Sequence, residues 1–263
     1  MDYINAIILG IVEGITEFLP ISSTGHLIIA EQWLGHRSDL FNIVIQAGAI
    51  LAVTIIYWRR IMTLLLGWQD PENRAYLGKL ILAFLITAIL GLIVKKLGFE
   101  LPSTATPIAW ALIIGGIWMI LVETYTARLP DRDEVTWKVA ILVGLAQVVA
   151  GVFPGTSRSA AAIFVAMLFG LSRRAAATEF VFLVGIPTMF AASAYAFLEM
   201  AKDGKLGNEN WTDVGVAFLA AAVTGFVVVK WLLGYIKSHK FTAFAFYRIA
   251  LGAALLLWLP AGN

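Results

Sequence analysis

The chain has 263 residues, of which 60% are hydrophobic and only 14% are charged. A soluble domain is typically about 45–50% apolar and about 25% charged, so this composition excludes an ordinary soluble protein and indicates a polytopic membrane protein. The net charge of +2 is too small to indicate a nucleic-acid partner, and zero cysteines exclude disulfides and thiolate chemistry. The N-terminus lacks the basic start and the cleavage site of a signal peptide, so we expect Met1 to belong to the mature protein.

The first apolar segment, residues 4–34, carries a polar motif in its middle. The motif reads EGITEFLPISSTGH from Glu13 to His26. Each unpaired charge in lipid costs several kcal/mol, so a cluster of this kind indicates a functional site. Pro20 cannot continue a helix, whereas the serines and the threonine after it can cap a new one. The sequence therefore predicts two half-helices separated by a break.

Six uninterrupted apolar runs are each close to the ~20 residues that a membrane-spanning helix needs. They cover residues 41–58, 77–95, 106–123, 180–199, 212–236 and 242–260. A second interrupted segment, residues 138–171, lies between the third and fourth runs and is broken by PGTSRSA from Pro154 onwards. We therefore expect an all-α integral membrane protein of six transmembrane helices and two re-entrant helical hairpins.

The chain also aligns with itself, as one membrane domain made of internal repeats 1–130 and 135–263. A shift of 134 positions aligns the two interrupted segments, and further blocks align at shifts of up to 139. The pairs in the interrupted segments are Gly10 with Gly144, Glu13 with Gln147, Pro20 with Pro154 and Ser23 with Ser157. Each repeat is then one re-entrant hairpin plus three spans, and the odd number of crossings gives the repeats inverted topology.

The distribution of lysine and arginine distinguishes two topologies. If both interrupted segments are re-entrant, the loops of one side carry eleven of these residues and those of the other side carry five. If both segments crossed the membrane, the same sixteen residues would divide nine to seven. The positive-inside rule favours the sharper bias. We therefore expect both termini on the extracytoplasmic side and two breaks that meet near the membrane midplane, where exposed backbone must be buried by protein or line a wet cavity.

Glu13 and Glu17 lie four residues apart, so they share one face of a helix. Two such carboxylates can supply a general acid or base, or they can share a divalent cation. The structural alternative is a pair of helix-end residues in contact with water. After the break come Ser22, Ser23, Thr24 and His26.

A serine one helical turn from a histidine, as Ser23 is from His26, can be activated by it as a nucleophile. In the structural alternative a serine caps the helix and His26 hydrogen-bonds a backbone carbonyl. Arg158, at the second break, is typical of a phosphate site at a helix start, although an ion pair with a carboxylate across the bundle would also explain it. One break thus offers acids, hydroxyls and an imidazole, and the other offers positive charge, which suits hydrolysis or transport of an anion. Arg248, in the last span, is expected to make a structural pair rather than to contact substrate.

Together these motifs resemble those of the bacterial undecaprenyl-pyrophosphate phosphatases, also called bacitracin-resistance proteins. The resemblance covers essentially the whole chain, through EGITEFLPISSTGH, FNIVIQAGAILAV, PGTSRS, SRRAAATEFVFLVGIP and FAFYR. The family's functional residues fall on Glu13, Glu17, Ser23, His26, Ser157, Arg158 and Ser159. The chain departs from the family pattern at Ala160 and Ala162, where a glycine and a threonine are usual, and Gly151 lengthens the segment before Pro154 by one residue.

The resemblance implies a phosphatase of the bacterial inner membrane that removes the terminal phosphate of undecaprenyl pyrophosphate and so recycles the lipid carrier for peptidoglycan synthesis. It implies a site reached mainly from the extracytoplasmic side, and it suggests a divalent cation, Mg²⁺ or Ca²⁺, and a homodimer. The rival interpretation is a transporter or lipid flippase without hydrolysis, because inverted repeats with broken helices also build transporters.

Specific roles follow from this resemblance. Arg158 is expected to neutralise phosphoryl charge, while His26 and Glu17 transfer protons and Glu13 tunes Glu17 or binds the metal with it. Ser23, His26 or a water molecule is the nucleophile, and the sequence leaves this choice open. The expected substrate-binding residues are Arg158 with Ser22, Thr24, Ser157 and Ser159.

Overall fold

The computed structural model describes residues 3–98, 105–204, 206 and 210–258, and the regular structure within these ranges is entirely helical. The elements in the described ranges are α1 (Tyr3–Thr16), α2 (Ser23–Leu34), α3 (Asp39–Ile56), α4 (Trp58–Leu66), α5 (Pro71–Lys96), α6 (Ala105–Thr126), α7 (Trp137–Val152), α8 (Arg158–Phe169), α9 (Arg174–Lys202), α10 (Trp211–Tyr235) and α11 (Thr242–Trp258).

Five of these helices, α3, α5, α6, α9 and α10, are long and apolar enough to cross a membrane. They correspond to five of the six predicted spans and indicate a multi-pass membrane protein, as the composition predicts. The sixth predicted span, residues 242–260, corresponds to α11, which is apolar but has 17 described residues. Residues 259 and 260 of that prediction lie outside the described part of the chain.

The predicted span 41–58 ends two residues early, and the short helix α4 follows it. Tyr57 interrupts the helical pattern, and Trp58 begins α4. Arg60 of α4 donates to Glu179 of α9 at 3.0 Å and lies 4.9 Å from the ring centre of Tyr76 on α5. These contacts hold α4 against two long helices, so Arg60 has a packing role.

The two interrupted segments form the helix pairs α1–α2 and α7–α8, and each pair packs side by side. At about 1.5 Å per residue, α2 and α8 with 12 residues each are about 18 Å long, well short of a ~30 Å hydrocarbon core. Helix α1 packs along α10, which packs along α3, while α7 packs along α5, which packs along α9. Helices α6 and α11 pack against each other.

Four close helix contacts at glycines are related by the same shifts as the sequence. Gly10 of α1 lies so close to the carbonyl of Ala217 on α10 that an added methyl group would collide with it. Gly144 of α7 likewise lies against Ala83 of α5, where the methyl group would stand 2.8 Å from the carbonyl oxygen. The two contacts are equivalent in the repeat, because Gly144 is 134 positions after Gly10 and Ala217 is 134 positions after Ala83. A shift of 136 likewise relates the contact of Gly252 with Ala109 to that of Gly116 with Ala245.

Candidate active site

The first break, between α1 and α2, is built by Pro20 and a strained serine cap. Pro20 has no backbone N–H to donate to a helix. Ser22 follows with a φ of 74°, a left-handed conformation that is uncommon for a residue with a side chain. Its hydroxyl accepts a hydrogen bond from Gly25 N at 3.4 Å and so caps α2. The predicted break is therefore confirmed, and Ser22 rather than Ser23 is the cap.

The second break, between α7 and α8, uses the same device. Pro154 is followed by Gly155 at a φ of 92° and by Ser157 at 69°. The Ser157 hydroxyl accepts from Ala160 N at 3.3 Å and caps α8. Ser157 is thus the structural counterpart of Ser22, so the alignment of Ser23 with Ser157 was one residue out of register. The difference arises after the prolines, because Ser22 is two residues after Pro20 whereas Ser157 is three residues after Pro154.

The two breaks meet at the carboxylate of Glu17. Arg158, the first residue of α8, donates to Glu17 Oε1 at 2.9 Å. Ser23, the first residue of α2, donates to the other oxygen, Glu17 Oε2. The Glu17 side chain is only 4% exposed, whereas that of Arg158 is 31% exposed. A buried carboxylate therefore holds a serine on one side and a partly accessible guanidinium on the other.

A polar cavity of about 170 Å³ opens beside this cluster. Its lining comes from both breaks and from the starts of α2 and α8: Glu17, Ser22, Ser23, Thr24, Ala150, Gly151, Pro154, Gly155, Ser157 and Arg158. The small volume and the polar lining suit a small anionic group. Two helix N-termini and one guanidinium thus line the same small space, and both features favour anion binding.

Ser159, an expected substrate-binding residue, joins the two breaks. Its hydroxyl donates to the Leu19 carbonyl at 3.1 Å and lies 3.1 Å from the Ser157 hydroxyl. It faces a second cavity of about 30 Å³, which Glu17 and Arg158 also line. Ala160 and Ala162, where the chain departs from the family pattern, are buried in the apolar core at 1% and 0% exposure. A hydroxyl at position 162 would therefore face the core and not the polar cavity.

His26 lies one turn further along α2, and both of its ring nitrogens are engaged. Nδ1 lies 2.7 Å from the Ser22 carbonyl oxygen, and because that oxygen can only accept, Nδ1 carries the proton. Nε2 lies 2.7 Å from the hydroxyl of Tyr247 on α11, and the two rings stack at 5.6 Å. Of the residues given catalytic roles, Glu17 and Arg158 therefore form an ion pair, whereas His26 contacts Ser22 and Tyr247. Ser23 donates to Glu17 and not to His26, because the turn of α2 carries the imidazole away towards α11.

Glu13 lies one turn before Glu17 and is 1% exposed. One of its carboxylate oxygens, Oε2, has no hydrogen-bond partner within the described residues. Those residues contain no group of three or more acidic or histidine side chains that could hold a metal by themselves. Mg²⁺, however, is usually bound by one or two carboxylates plus substrate phosphates. Glu13 and Glu17 therefore fit a cation whose coordination is completed by a phosphate, and do not fit a closed protein cage.

The sequence interpretation missed the role of Tyr247 and the partners of Arg248. Tyr247 is the hydrogen-bond partner of His26, 221 positions away in the chain. Arg248 makes the structural pairing that was expected, but its partners are backbone carbonyls, at Pro20, Ala111 and Gly155. The only sequence signal for either residue is the motif FAFYR, whose tyrosine and arginine lie side by side in an apolar helix.

Comparison of the amino-acid sequence with known proteins identifies the family of this chain. Residues 6–254 match the family model described as bacitracin resistance protein BacA. The chain is 77% identical over 262 residues to a protein named undecaprenyl-diphosphatase from Stenotrophomonas maltophilia (strain R551-3), an alignment that covers 100% of this chain and 99% of the relative. Proteins of the same name from Rhizobium johnstonii and Xanthomonas campestris pv. campestris (strain 8004) are 73% identical, with 97% of each chain covered, and 69% identical, with 99% covered. The chain belongs to the bacitracin resistance protein BacA family.

Proposed function

We propose that this protein is an undecaprenyl-diphosphatase, which hydrolyses the terminal phosphate of undecaprenyl pyrophosphate and recycles the lipid carrier for peptidoglycan synthesis. The family and the names of full-length relatives support this activity. The observation that carries it is the meeting of Ser23 and Arg158 on the carboxylate of Glu17, beside a small polar cavity. Phosphoryl transfer of this kind uses a hydroxyl as the nucleophile, a base that accepts its proton and a positively charged side chain that binds the phosphate.

In this proposal Arg158 and the two helix N-termini bind the terminal phosphate. A guanidinium has five N–H donors, and the contact with Glu17 Oε1 uses only one nitrogen of Arg158. The remaining donors are available to phosphoryl oxygens in the cavity. Thr24 is exposed and lines the same cavity, so its hydroxyl is placed to contact the phosphate as well. The transferred group would carry its charge into a site already organised to stabilise it.

Ser23 is the proposed nucleophile and Glu17 the proposed base. The Ser23 oxygen forms a bond to the terminal phosphorus while the bond from that phosphorus to the bridging oxygen breaks, and undecaprenyl phosphate leaves. The hydroxyl proton passes to Glu17 Oε2, the atom to which Ser23 already donates. Water then attacks the phosphoserine, inorganic phosphate is released, and Ser23 recovers its proton.

His26 acts indirectly in this proposal. Its Nδ1–H holds the carbonyl of Ser22, the residue whose hydroxyl caps α2 immediately before Ser23. Its Nε2 accepts from Tyr247 and is therefore not free to remove a proton. A divalent cation, Mg²⁺ or Ca²⁺, would be held by Glu13 and Glu17 and would neutralise phosphoryl charge when bound.

The membrane arrangement belongs to the same proposal. Six crossings and two re-entrant hairpins, built as inverted repeats, are supported by the short, paired half-helices and by the contacts that recur after shifts of 134 and 136 positions. The unequal distribution of lysine and arginine between the loops of the two sides supports an inner-membrane protein with extracytoplasmic termini. The site would open mainly to the extracytoplasmic side. The homodimer that the resemblance suggests is tested by light scattering of the purified protein.

The experiment that tests the activity is incubation of purified protein in detergent with undecaprenyl pyrophosphate, followed by measurement of inorganic phosphate. A phosphatase releases phosphate and leaves undecaprenyl phosphate, whereas a carrier without hydrolysis releases none. Terminally ³²P-labelled substrate then tests the nucleophile. Acid quenching in the steady state should leave label on Ser23, and absence of label with normal turnover would favour attack by water.

A further inference from the structure

Arg248 of α11 is a fully buried arginine outside the polar cavity. Its exposure is 0%, and it is the largest of the completely buried side chains among the described residues. Burying a guanidinium is costly unless its donors are satisfied, and an arginine in this position is normally paired with a carboxylate. Here the described part of the chain provides no carboxylate partner, and the guanidinium binds backbone carbonyl oxygens instead.

Two of those carbonyls belong to the two breaks. Nη1 donates to the Pro20 carbonyl at 3.3 Å, in the break between α1 and α2. Nη2 donates to the Gly155 carbonyl at 3.0 Å, in the break between α7 and α8. The same nitrogen donates to the Ala111 carbonyl of α6 at 3.1 Å. A single planar group thus joins both breaks to a third helix.

The chemistry of the breaks explains why an arginine is suited to this position. A carbonyl at the end of a half-helix lacks the intrahelical donor it would otherwise have, and inside a membrane it must be satisfied by protein. The planar fork of arginine carries donors on two terminal nitrogens and can reach two carbonyls at a fixed separation. Lysine keeps the charge but places all its donors on one atom, so it cannot fix that separation in the same way.

The surroundings of Arg248 leave room for this group. Gly115 of α6 lies directly against Nη2, and an added methyl group there would collide with the guanidinium. The sulfur of Met119, one turn further along α6, lies 3.7 Å from Nη1. Complete burial rules out direct contact with a ligand in the open cavity in this structure.

We propose that Arg248 is the positioning residue that holds the two breaks together, so that Ser23 from one break and Arg158 from the other reach the same carboxylate. Its effect on turnover rests on the proposed phosphatase function, whereas its effect on the separation of the breaks does not. The break distance can therefore be measured independently of activity, which separates failure of this proposal from failure of the functional one.

The distance is measured with spin labels on cysteines introduced at Thr24 and Phe153, one beside each break. Both side chains are exposed, and the chain has no native cysteine to interfere. Arg248→Met and Arg248→Lys are each made in this background and compared with Arg174→Met. The control removes one partner of the largely buried pair between Arg174 of α9 and Glu123 of α6, neither of which lines the cavity between the breaks.

We expect Arg248→Met to broaden the distance distribution and shift it to longer distances, and Arg248→Lys to have a smaller effect. Arg174→Met should leave the distribution unchanged even if it lowers thermal stability as much as Arg248→Met does. Phosphate release, measured without the labels, should fall by about 100-fold in Arg248→Met, as expected when reacting groups are misplaced by about 1 Å. kcat and kcat/KM should fall together, since the phosphate-binding groups remain.

Gly115→Ala provides the test if Arg248→Met fails to fold, because it displaces the guanidinium without removing it. Gly91→Ala is its matched control, since an added methyl group at Gly91 of α5 meets nothing within 4 Å. An unchanged distance distribution in the folded Arg248→Met or Gly115→Ala variant would overturn the proposal. The proposal would also be overturned if activity fell in proportion to thermal stability, and to the same extent, in the Arg248 and Arg174 variants.

Discussion

Arg158 and Glu17, 141 positions apart in the chain, form an ion pair of 2.9 Å at the junction of two broken helices. The pair joins the first residue of α8 to the segment just after α1, and the second oxygen of the same carboxylate accepts from Ser23. A structural ion pair and a candidate catalytic base are therefore one group. Disturbing either partner should affect both the packing of the breaks and the chemistry of the site.

The energetic coupling between Glu17 and Arg158 can be measured with a double-mutant cycle. We expect Glu17→Gln and Arg158→Met to destabilise the protein by less in combination than the sum of their separate effects, with a coupling of about 1–3 kcal/mol. A fully buried pair would give more, but the Arg158 side chain is 31% exposed. Unfolding in detergent is the measurement. The exposed pair of Arg173 with Asp133 is the control and should couple by less than about 1 kcal/mol; equal coupling in both cycles would contradict the assignment.

Ser22 should tolerate glycine better than alanine. Alanine removes the cap hydroxyl, at a cost of about 1 kcal/mol, and retains a side chain at a φ of 74°. Glycine also loses the hydroxyl, but it adopts this backbone conformation without strain and is itself a fair cap. Thermal unfolding of Ser22→Ala and Ser22→Gly should therefore rank glycine as the more stable, and the same order should hold at Ser157. The reverse order at both positions would mean that the strained caps are described incorrectly.

Tyr247→Phe should weaken the support of His26 while leaving the ring stack in place. The hydroxyl that lies 2.7 Å from His26 Nε2 is lost, and because this hydrogen bond is exposed, its removal should cost about 0.5–1.5 kcal/mol. Because His26 holds the Ser22 carbonyl, we expect a lower kcat in addition to the lower stability. Tyr125→Phe, at a tyrosine that is 53% exposed, is the matched control and should have little effect. If Tyr247→Phe lowers kcat as much in a His26→Asn background as in the wild type, the tyrosine does not act through His26.

Gly10 and Gly144, which lie against backbone carbonyls of neighbouring helices, should be intolerant of a methyl group. Gly10→Ala and Gly144→Ala would push α1 from α10 and α7 from α5, and overpacking of this kind typically costs about 1–3 kcal/mol. Gly91→Ala is the control, because nothing lies within 4 Å of the added group, and it should be neutral or stabilising by up to about 1 kcal/mol. Similar thermal stabilities for all three variants would show that the helices are not packed as closely as described.

Local chemistry made the two breaks predictable from sequence. A proline inside an apolar segment ends one helix, and the serines that follow it can cap the start of the next. The pairing of Arg158 with a carboxylate was one of the two alternatives that the sequence left open, because an unpaired charge inside a membrane is expensive. The repeat then placed both breaks in corresponding positions, which made their meeting a reasonable expectation.

Long-range contacts and exact register were not predictable. The partner of His26 lies on the last helix, and no pattern near His26 indicates a tyrosine 221 positions away. Spacing suggested that Ser23 would contact His26, but the direction of the first turn of α2 turns the hydroxyl to Glu17 instead. The one-residue difference between Ser22 and Ser23 arises between each proline and its cap, where the second break is one residue longer, and only the backbone conformation shows which serine is the cap. The carbonyl partners of Arg248 also depend on the folded positions of three separate helices.

The central claim is that Glu17, held between Ser23 and Arg158, serves the hydrolysis of a polyprenyl pyrophosphate. The most direct test compares phosphate release from undecaprenyl pyrophosphate by the wild type, by Glu17→Gln and by Glu179→Gln, with folding checked by thermal unfolding. Glu179→Gln removes a carboxylate from another arginine pair, that with Arg60, and should retain activity. We expect Glu17→Gln to lower kcat by about 10²–10⁴-fold, the range for loss of a general base. A folded Glu17→Gln variant that releases phosphate at close to the wild-type rate would contradict the account.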